Sequence, residues 1–552
     1  MKVILTTLNS KYIHTSHALY LLDSAIEDIC ESHVKEFTIK DNIERVTKNL
    51  ISYQADLICF AIYIWNVKET LKVIEVLRET TDVKVCVGGP EVSYDVKHFV
   101  NKTGIDFLVS GEGEEMLREL IQNKLNATSL NIATKEHPYA TPNQVNLNWL
   151  ETLNSPYRKL KDINNRLVYF ESSRGCPYQC SFCLSSLEKG VRFFSTEYLK
   201  KELLYLIEHD VKTVKFLDRT FNTKLSFAKE LFDFIIAHYK EGQTFQFEIT
   251  GDILPTEIIL YLNEKAPKGL FRFEIGIQST NQETNNLVDR NQDLDILLEN
   301  IRLIQEANVI DLHLDLIAGL PKESYHSFEK TFNDIFQIKP LELQLGFLKM
   351  LRGTKIRNQA DLYGYHFDQE SPYEITKHDD LSEEDIFNIH LAEEGLEKYW
   401  NKHKTDRTIH YLVSIKKNYF QLFYEIGRYW FDHYQRFTNF QQIDLYERLY
   451  LYAKSNNYDA TVVLDLLKFD YLTNAKTKPK RFYQTIDKKE RNHLFRQIMV
   501  YDSNYHIDDL FKYSYLEILT LDPITMEKEQ MVLVVTYKQQ TTYRLFKLKK
   551  LL

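Results

Sequence analysis

The sequence is short of three features that mark common classes of protein. Its longest apolar stretch, Leu57 to Trp65, falls well below the roughly 20 residues that a membrane-spanning helix needs. Its six cysteines in 552 residues exclude a small scaffold stapled by disulfides. Positive charge is not in excess, because the formal net charge is −9. We therefore expect no membrane partner, and nonspecific binding to nucleic acid is disfavoured.

The N-terminus is also too polar for a signal peptide. The first apolar run gives way to polar residues within the first ten positions, which is too early for the apolar core of a signal peptide. We therefore expect a cytoplasmic protein. Cysteines in that reducing compartment serve as thiols or metal ligands more often than as disulfides. With 44% hydrophobic and 27% charged residues, the chain has the composition of a globular protein, and its length predicts two to four domains.

Strand-like and helical segments alternate over the first 125 residues. Five β-branched runs predict strands: Val3 to Thr7, Glu36 to Ile39, Asp56 to Tyr63, Val83 to Val87 and Ile105 to Val109. A helix is expected from His14 to Glu31, between the first two strands. The pattern predicts a doubly wound, flavodoxin-like parallel sheet, in which ligands bind beyond the carboxyl ends of the strands.

A second alternation follows residue 165. Six strand-like runs predict a partial (β/α)6 barrel with its chemistry at the carboxyl ends of the strands: Leu167 to Ser172, Thr213 to Leu217, Phe245 to Thr250, Leu270 to Gly276, Asp311 to Ile317 and Glu342 to Phe347. Beyond the barrel the periodicity is mainly helical, and the last runs, Met531 to Tyr537 and Thr542 to Phe546, predict a β-hairpin. The expected division is a sheet domain over 1–135, a linker over 136–165, the barrel over 166–358 and a helical domain over 359–552.

Three of the six cysteines lie within eight residues, directly after the first predicted barrel strand. They are Cys176, Cys180 and Cys183. Soft thiolates select zinc or iron–sulfur centres, and structural zinc takes four ligands. Neither a fourth cysteine nor a histidine lies nearby in the sequence. Three thiolates therefore suit an iron cluster with one open position, which a small chelating molecule can fill.

The spacing Cys-x3-Cys-x2-Cys, with Phe182 before the last cysteine, resembles the signature of radical S-adenosylmethionine (SAM) enzymes. The resemblance implies a [4Fe–4S] cluster held by Cys176, Cys180 and Cys183, with SAM on the unique iron. It implies cleavage of SAM to a 5′-deoxyadenosyl radical. It also implies a flavodoxin- or ferredoxin-type reductant.

Three further segments resemble the SAM contacts of this superfamily. The segment Phe216 to Asn222 matches the second-strand motif, but only Asp218, with Arg219 beside it, stands where members often carry two acidic residues. Glu274 to Ser279 matches the fourth-strand motif and Asp315 to Pro321 the adenine motif, although carboxylates paired within the barrel explain these positions equally well. The residues that the resemblance assigns to SAM binding are Tyr178, Phe182, Asp218, Glu248, Glu274, Gln278 and Ile317.

A doubly wound domain directly before such a barrel resembles the cobalamin-binding domain of B12-dependent radical SAM enzymes. Two Gly-rich turns match that domain, in which small residues let the backbone approach the corrin. The Asp-x-His-x-x-Gly motif of other cobalamin proteins is absent, so we expect base-off binding without that histidine. Solvated and core-capping roles stay open for the histidine and the aromatic residues. The residues assigned to cobalamin are Tyr12, His14, Tyr63, Trp65, Gly88, Gly89, Pro90, Glu91, Gly111, Glu112, Gly113 and Glu114.

The whole layout resembles B12-binding radical SAM proteins that end in a DUF4080 domain. That resemblance implies methylation of an unactivated carbon, through a 5′-deoxyadenosyl radical and methylcobalamin. The alternatives are cyclisation or rearrangement without methyl transfer, methylthio transfer to tRNA with a second cluster on Cys30, Cys59 and Cys86, and a non-catalytic cluster or B12 protein. The sequence names neither the catalytic residues nor the substrate, a small molecule or a peptide, whose contacts we expect from Tyr419 to Tyr429.

Overall fold

The computed structural model describes residues 1–102, 104–188, 190–475, 481–502 and 507–551. The chain divides into two compact units. The first unit comprises Met1–Phe328 and Gly346–Ser382, and the second comprises Glu329–Leu345 and Glu383–Leu552. The predicted N-terminal sheet domain lies wholly in the first unit, as does the predicted barrel domain except for Glu329–Leu345.

The N-terminal sheet has six strands. They are β1 (Lys2–Asn9), β2 (Glu31–Thr38), β3 (Leu57–Ala61), β4 (Lys84–Gly88), β5 (Phe107–Val109) and β6 (Ile132–Ala133). Their order is β2-β1-β3-β4-β5-β6, with the first five parallel and β6 antiparallel to β5. The doubly wound, flavodoxin-like prediction is confirmed, and the short antiparallel strand is an addition that the periodicity did not predict.

Helices cover both faces of this sheet. They are α1 (His17–Ile26), α2 (Ile43–Ile51), α3 (Val67–Thr80), α4 (Pro90–Ser93), α5 (Val96–Val100), α6 (Glu114–Gln122) and α7 (Leu147–Leu150). One apolar core contains Leu50 of α2 and Ile74 of α3, and a separate core contains Leu19 of α1 and Leu120 of α6. A sheet buried on both faces explains why its strands read as near-continuous apolar runs.

The first helix starts three residues later than predicted and ends five residues earlier. The segment before it is extended, because His14 forms a parallel bridge with Leu167 of the barrel. The Thr15 amide donates to the Leu167 carbonyl (3.4 Å), and the Leu167 amide donates to the Ile13 carbonyl (2.9 Å). These tertiary hydrogen bonds hold residues 13–15 out of the helix.

The second α/β segment has eight strands. They are β7 (Leu167–Phe170), β8 (Ser173–Cys176), β9 (Gly190–Phe193), β10 (Thr213–Phe216), β11 (Thr244–Glu248), β12 (Phe271–Gln278), β13 (Asp311–Ala318) and β14 (Glu342–Phe347). Six of them form a sheet in the order β14-β13-β12-β11-β10-β7, and β8 and β9 form a separate antiparallel hairpin. The six predicted barrel strands are confirmed, and the hairpin is inserted after the first of them.

Helices alternate with the barrel strands, as the prediction required. They are α8 (Thr196–Glu208), α9 (Leu225–His238), α10 (Thr256–Lys265), α11 (Gln282–Leu287), α12 (Leu294–Ala307) and α13 (Tyr325–Phe336). The first unit ends with α14 (Lys355–Asn358), β15 (His366–Phe367) and β16 (Ile375–Lys377).

Strand β12 shows a strict alternation of burial. On β12, Phe271, Phe273 and Ile275 are buried while the intervening side chains are only partly buried. The rings of Phe271 and Phe273 pack against Phe232 of α9, at 5.1 and 5.8 Å between centroids. The aromatic face therefore meets the helices, and the opposite face, which carries Glu274, lines the inside of the barrel.

The second unit is mainly helical. Its helices are α15 (Glu383–Leu396), α16 (Asp406–Ile415), α17 (Tyr419–Tyr434), α18 (Gln442–Ser455), α19 (Ala460–Asn474), α20 (Lys488–Tyr501) and α21 (Ile507–Tyr513). Its strands are β17 (Ser514–Leu519), β18 (Met531–Thr536) and β19 (Thr542–Lys547). The predicted terminal hairpin is confirmed as β18 and β19, and β17 extends it to three antiparallel strands.

Helices α15 and α17 approach each other closely. A Cβ on Gly427 would stand 1.8 Å from the Leu391 carbonyl oxygen, and one on Gly395 would stand 2.3 Å from that of Phe423. Within α17, Phe420, Phe423 and Trp430 are buried and form core, whereas Tyr419, Tyr424 and Tyr429 are only partly buried. No helix among the described residues is long and apolar enough to cross a membrane.

Candidate active site

The cysteine loop is held at the end of the β8–β9 hairpin. Cys176 is the last residue of β8 and pairs with Gly190. Gly175 has φ +93°, and a Cβ there would stand 2.1 Å from the Gly190 carbonyl oxygen, so the hairpin requires glycine at this position. Farther along the loop, the Ser181 amide donates to the Val288 carbonyl (2.9 Å). Both ends of the thiol-bearing segment are therefore fixed by backbone contacts.

The three thiols differ in their surroundings. The Cys176 Sγ lies 4.0 Å from the Thr220 Oγ1, and the Cys180 Sγ lies 3.9 Å from the Arg290 Nη1. Burial raises the pKa of both thiols, and the Arg290 guanidinium opposes that rise at Cys180. Cys183 is partly exposed. Among the described residues, no three His, Cys, Asp or Glu side chains converge on a single-ion site. In a four-iron cluster each thiolate binds its own iron atom.

Asp218 is fully engaged by the strand next to it. Its carboxylate accepts hydrogen bonds from the Ser172 amide (3.1 Å), the Ser172 hydroxyl (2.6 Å) and the Ser173 hydroxyl (2.5 Å). Burial still raises its pKa to about 6, against the effect of these donors. Asp218 thus fixes the start of the cysteine hairpin, a role that differs from the SAM contact that the resemblance implies.

Paired charges line the inside of the barrel. Both carboxylate oxygens of Glu274 accept hydrogen bonds from the Lys215 ammonium at 2.8 Å. The Asp315 carboxylate lies 3.0 Å from the His313 Nε2 on the same strand. Glu274 and Asp315 therefore form the intrabarrel pairs that the sequence left open as an alternative.

Two buried acceptors at the carboxyl ends of the strands have no hydrogen-bond partner among the described residues. They are the Oε1 of Gln278 and the Oδ1 of Asp252. Gln278 ends β12 with φ +68°, after a register shift between Gly276 and Gln278. Buried acceptors without donors are costly, and a ligand that donates hydrogen bonds, such as SAM, would satisfy them.

The other residues assigned to SAM border the same region. Tyr178 and Phe182 lie on the cysteine loop and are partly buried. Ile317 lies on the inner face of β13, and it too is partly buried. The structure thus gathers every residue assigned to SAM into the cysteine loop, the inner barrel face and the adjoining strand ends.

The glycines in the turns of the N-terminal sheet fall into two groups. Gly89 has φ +110°, and a Cβ there would stand 2.5 Å from the Ile62 carbonyl oxygen. Gly111 has φ +79°, and its Cβ would stand 2.4 Å from the Asn143 amide nitrogen. Packing within the chain thus requires both glycines. A Cβ on Gly88 or Gly113 would meet only ordinary contacts, at 3.6 and 3.4 Å, which leaves these two positions open to a ligand.

Three carboxylates assigned to cobalamin bind protein groups in this structure. Glu91 accepts a hydrogen bond from the Tyr373 hydroxyl, and its Oε1 lies 3.5 Å from the Arg352 Nε. Glu112 and Glu114 lie 3.0 and 2.7 Å from the guanidinium of Arg174. Desolvation raises the pKa of Glu114, but Arg174 outweighs it and the pKa is lowered.

Arg174 connects the cysteine hairpin to the N-terminal sheet. Besides Glu112 and Glu114 it pairs with Glu171 at 3.0 Å, and all four side chains are at least 86% buried. Arg192 of β9 also pairs with Glu112. The Gly-rich turn after β5 is thereby fastened to both strands of the hairpin that carries the thiols.

The aromatic residues and His14 lie at the expected edge of the sheet. The rings of Tyr63 and Trp65 stack at 4.4 Å, and Trp65 is 47% exposed. Tyr12 is 64% exposed. The His14 Nδ1 lies 3.0 Å from the Tyr169 hydroxyl, and burial lowers its pKa. Pro90 occupies the first turn of α4, where its missing amide hydrogen costs nothing.

Family models match all three segments of the chain. A B12 binding domain model matches residues 2–121, a Radical SAM superfamily model matches 170–335, and the model described as Protein of unknown function (DUF4080) matches 361–543. The chain is a B12-binding radical SAM protein with a C-terminal DUF4080 domain.

Curated relatives and solved structures agree with this identification. TokK of Streptomyces tokunonensis, a cobalamin-dependent radical SAM methyltransferase, is 26% identical over 322 residues, 51% of this chain and 45% of TokK. The B12-binding radical SAM protein thus spans about half the length of the curated relatives it matches.

Two cobalamin enzymes share the fold. OxsB, a cobalamin-dependent S-adenosylmethionine radical enzyme solved with aqua-cobalamin, aligns with a TM-score of 0.59 at 14% identity, over 85% of this chain and 79% of OxsB. TsrM of Kitasatospora setae, a radical SAM methyltransferase, aligns with a TM-score of 0.57 at 17% identity, over 67% of this chain and 79% of TsrM.

The domains of this B12-binding radical SAM protein imply a [4Fe–4S] cluster, SAM and cobalamin. The residues fit these groups. Three thiols on one loop supply the soft donors of a cluster, and the unpartnered acceptors of Gln278 and Asp252 suit SAM. Neither packing nor φ requires glycine at position 88, so the backbone there leaves room for the corrin.

A substitution at Gly88 separates cobalamin binding from folding. Because the new Cβ makes only ordinary protein contacts, Gly88→Ala is expected to keep the wild-type Tm. If corrin packs against this backbone, the methyl group overpacks the site and weakens hydroxocobalamin binding by roughly tenfold. An absorbance titration with hydroxocobalamin measures the affinity.

Gly111→Ala is the matched control, because strain at φ +79° and a clash with Asn143 are expected to cost about 1–3 kcal/mol of folding stability. Wild-type cobalamin affinity in Gly88→Ala would remove Gly88 from the cobalamin site.

The B12-binding radical SAM protein also has a pH-sensitive carboxyl group inside its barrel. Burial raises the pKa of Glu248 to about 7, and neighbouring Arg219 and Lys215 only partly oppose it. In the unfolded chain this group ionises near 4.5. Between pH 4.5 and about 7 the Glu248 carboxyl group is thus ionised mainly in the unfolded chain. The free energy of unfolding therefore falls as the pH rises through that window.

Glu248→Gln mimics the protonated side chain and does not ionise. As the pH rises, the free energy of unfolding of this variant is therefore expected to fall by about 3 kcal/mol less than that of wild type. Denaturant unfolding of wild type and variant at pH 5, 6, 7 and 8 measures the difference, with Glu230→Gln as an exposed control. Parallel pH profiles for wild type and Glu248→Gln would contradict the assignment.

Sequence reasoning missed the basic residues of this B12-binding radical SAM protein. Arg290 lies more than 100 residues from Cys180 in sequence, and its Nη2 also donates to the Gly276 carbonyl (2.5 Å). Nothing in the local sequence marks it. The sequence did carry weak indications of two others. Arg174 directly precedes the cysteine motif, and Lys215 is a charged residue at an alternating position of a predicted strand.

Proposed function

We propose that this protein is a cobalamin-dependent radical SAM methyltransferase that acts on an unactivated carbon. The observation that carries the proposal is the Arg174 junction, which joins the thiol-bearing hairpin to the Gly-rich turn after β5 within one compact unit. A cluster on the hairpin and a corrin at the sheet edge would thus serve one reaction site. TokK and TsrM are methyltransferases, which supports the same function.

The chain's own side chains bind and position these groups. When bound, the cluster and SAM supply hydrogen-atom abstraction, and cobalamin supplies the methyl group. Cys176, Cys180 and Cys183 would hold the cluster. Arg290 places a positive charge beside the Cys180 sulfur, which favours its thiolate form. Gln278 offers an acceptor that a SAM donor would satisfy.

Cofactor content is the first test. Anaerobic reconstitution with iron, sulfide and hydroxocobalamin, followed by desalting, is expected to leave about four irons and one cobalt per chain, with the absorption of both cofactors. Iron without cobalt would remove cobalamin from the proposal while keeping the radical SAM chemistry.

Methyl transfer is the second test. The reconstituted protein receives SAM labelled in its methyl group together with fractionated small molecules and peptides. Label in a product, with both S-adenosylhomocysteine and 5′-deoxyadenosine formed, supports methylation. 5′-Deoxyadenosine with a changed but unlabelled product would favour cyclisation or rearrangement instead.

The partners belong to the same proposal. We propose a flavodoxin- or ferredoxin-type reductant, a small-molecule or peptide substrate, and a cytoplasmic location. A cluster that must be recharged with electrons suits a reducing compartment. The tRNA methylthio alternative is not favoured, because Cys59 and Cys86 face each other within the apolar core of the N-terminal sheet.

A further inference from the structure

Arg448 of α18 is a buried cation without a counter-ion. The residue is only 9% exposed, and its Nη1 is a buried donor without a hydrogen-bond partner. No hydrogen bond or ion pair joins the guanidinium to any of the described residues. Burial of a charged group without a partner is unfavourable, so an anion that reaches this guanidinium gains more than one bound at an open surface.

Two aromatic rings of α17 hold the guanidinium in place. The Arg448 Cζ lies 4.2 Å from the centroid of the Trp430 ring and 3.7 Å from that of the Tyr434 ring. Trp430 is itself fixed, because its Nε1 donates to the Tyr399 hydroxyl (2.9 Å), which donates to the Leu445 carbonyl (3.0 Å). These cation–π contacts offset part of the cost of burial, but they supply no negative charge.

The acidic side chains closest to Arg448 in sequence are bound elsewhere. Asp444 lies one turn before Arg448 on α18, but its carboxylate accepts a hydrogen bond from the Gln441 amide (2.7 Å) and pairs with Arg481 at 2.6 Å. The Glu447 carboxylate lies 4.0 Å from the Nε of the same Arg481. Neither acid therefore neutralises the Arg448 guanidinium.

A second cation, Lys398, also lies against Trp430 but already has a counter-ion. The Lys398 Nζ lies 5.4 Å from the centroid of the Trp430 ring, and it pairs with the Glu394 carboxylate. One positive charge beside Trp430, that of Arg448, is thus left unpaired. This balance matches a ligand that carries one negative charge.

The rings around Trp430 give the site an apolar border. Phe437 and Phe440 pack against Trp430 with centroids 6.3 and 5.1 Å away, and both are partly exposed. Tyr434 is also partly exposed, whereas Trp430 is buried, so a ligand can approach the guanidinium from the Tyr434 side. Apolar atoms of a ligand would leave water against these rings while its anionic group meets Arg448.

We infer that Arg448 binds the carboxylate of a small ligand with an apolar body, at a site that lies within the second unit. The planar guanidinium fork matches a carboxylate in a bidentate pair. A doubly charged phosphate would exceed the single unpaired positive charge and would be repelled by Asp444 and Glu447 on the same helix. The ligand class is thus an aromatic or aliphatic monocarboxylic acid.

Calorimetric titration of the full-length protein tests the assignment. The probes are phenylacetate and hexanoate, their amides phenylacetamide and hexanamide, acetate, and inorganic phosphate. Phenylacetate or hexanoate is expected to bind roughly tenfold more tightly than its own amide, which lacks the charge, and than acetate, which lacks the apolar body. Phosphate is expected to bind more weakly than the tighter of the two carboxylates.

Arg448→Met separates ligand binding from a structural role. Because methionine replaces a buried, unpaired charge by an apolar side chain, the variant without ligand is expected to keep or exceed the wild-type Tm. Its affinity for the tighter carboxylate is expected to fall by roughly tenfold, with Arg448→Lys in between, since lysine keeps the charge but lacks the fork.

Arg428→Met is the matched control. Arg428 of α17 also lies over a ring, that of Phe431 at 6.0 Å, but it is exposed and pairs with Asp432 at 3.0 Å. Its replacement is expected to leave carboxylate affinity at the wild-type value.

Four outcomes overturn the inference: no binding of either carboxylate, equal binding of the amides, tighter binding of phosphate, or wild-type affinity in Arg448→Met. If Arg448→Met fails to fold, wild-type affinity in Arg448→Lys overturns it instead. The titration needs no iron, SAM or cobalamin, so its result is independent of the proposed methyltransferase function.

Discussion

Cys183→Ala is expected to abolish cluster assembly and SAM cleavage. With one thiolate removed, an iron of the cluster loses its protein ligand, and we expect losses larger than the roughly 10–100-fold that follow removal of outer-sphere residues. Cys183 is partly exposed and no described contact depends on its thiol, so the Tm of the protein without cofactors should stay at the wild-type value. Iron content after reconstitution and 5′-deoxyadenosine formation from SAM measure the effect.

Cys30→Ala is the matched control for this experiment. Cys30 is also a free, partly buried thiol, but it packs beside the core of the N-terminal sheet. Its replacement should keep the iron content and SAM cleavage of wild type. Equal loss of iron in both variants, or full iron in Cys183→Ala, would remove the cysteine loop from cluster binding.

Arg174→Gln is expected to destabilise the first unit by about 3–5 kcal/mol. Removal of one partner from a buried ion-pair network leaves uncompensated charge, here on Glu112, Glu114 and Glu171. Hydroxocobalamin binding should weaken as well, because the turn after β5 loses its link to the hairpin. Denaturant unfolding and an absorbance titration measure the two effects.

Lys200→Gln provides the control. Lys200 pairs with Glu230 at 2.6 Å, but both side chains are more than a third exposed. Such surface pairs contribute about 0–1 kcal/mol. If Arg174→Gln costs no more than Lys200→Gln and binds hydroxocobalamin as wild type does, Arg174 does not hold the two cofactor segments together.

Local pattern was enough to predict most of the α/β architecture. Strand β12 shows why, because its alternation of apolar and polar residues matches the two faces of a barrel strand. The short apolar runs of β1, β3, β4 and β5 were equally clear, whereas the polar edge strand β2 begins at Glu31 rather than at the predicted Glu36. The start of α1 was wrong, since the bridge from His14 to Leu167 joins residues about 150 apart and leaves no trace in local periodicity.

The candidate site was predictable where one segment supplies the chemistry. The three cysteines share one loop, so their spacing alone indicates an iron centre. Interactions between segments were not predictable. The pattern did not indicate that Glu112 and Glu114 pair with Arg174. Glycine was ambiguous for a similar reason, because Gly111 is required by Asn143, which follows it by more than 30 residues.

The backbone bridge between residues 13–15 and Leu167 limits how the modules of this protein can be exchanged. A graft that replaces the N-terminal sheet alone would remove the partners of the Leu167 amide and carbonyl. It would also remove Glu36, which pairs with Arg166 at 2.8 Å. A functional chimera between relatives therefore has to transfer residues 13–15, Glu36 and 166–169 together, so its crossover point lies inside the barrel rather than in the connecting segment before it.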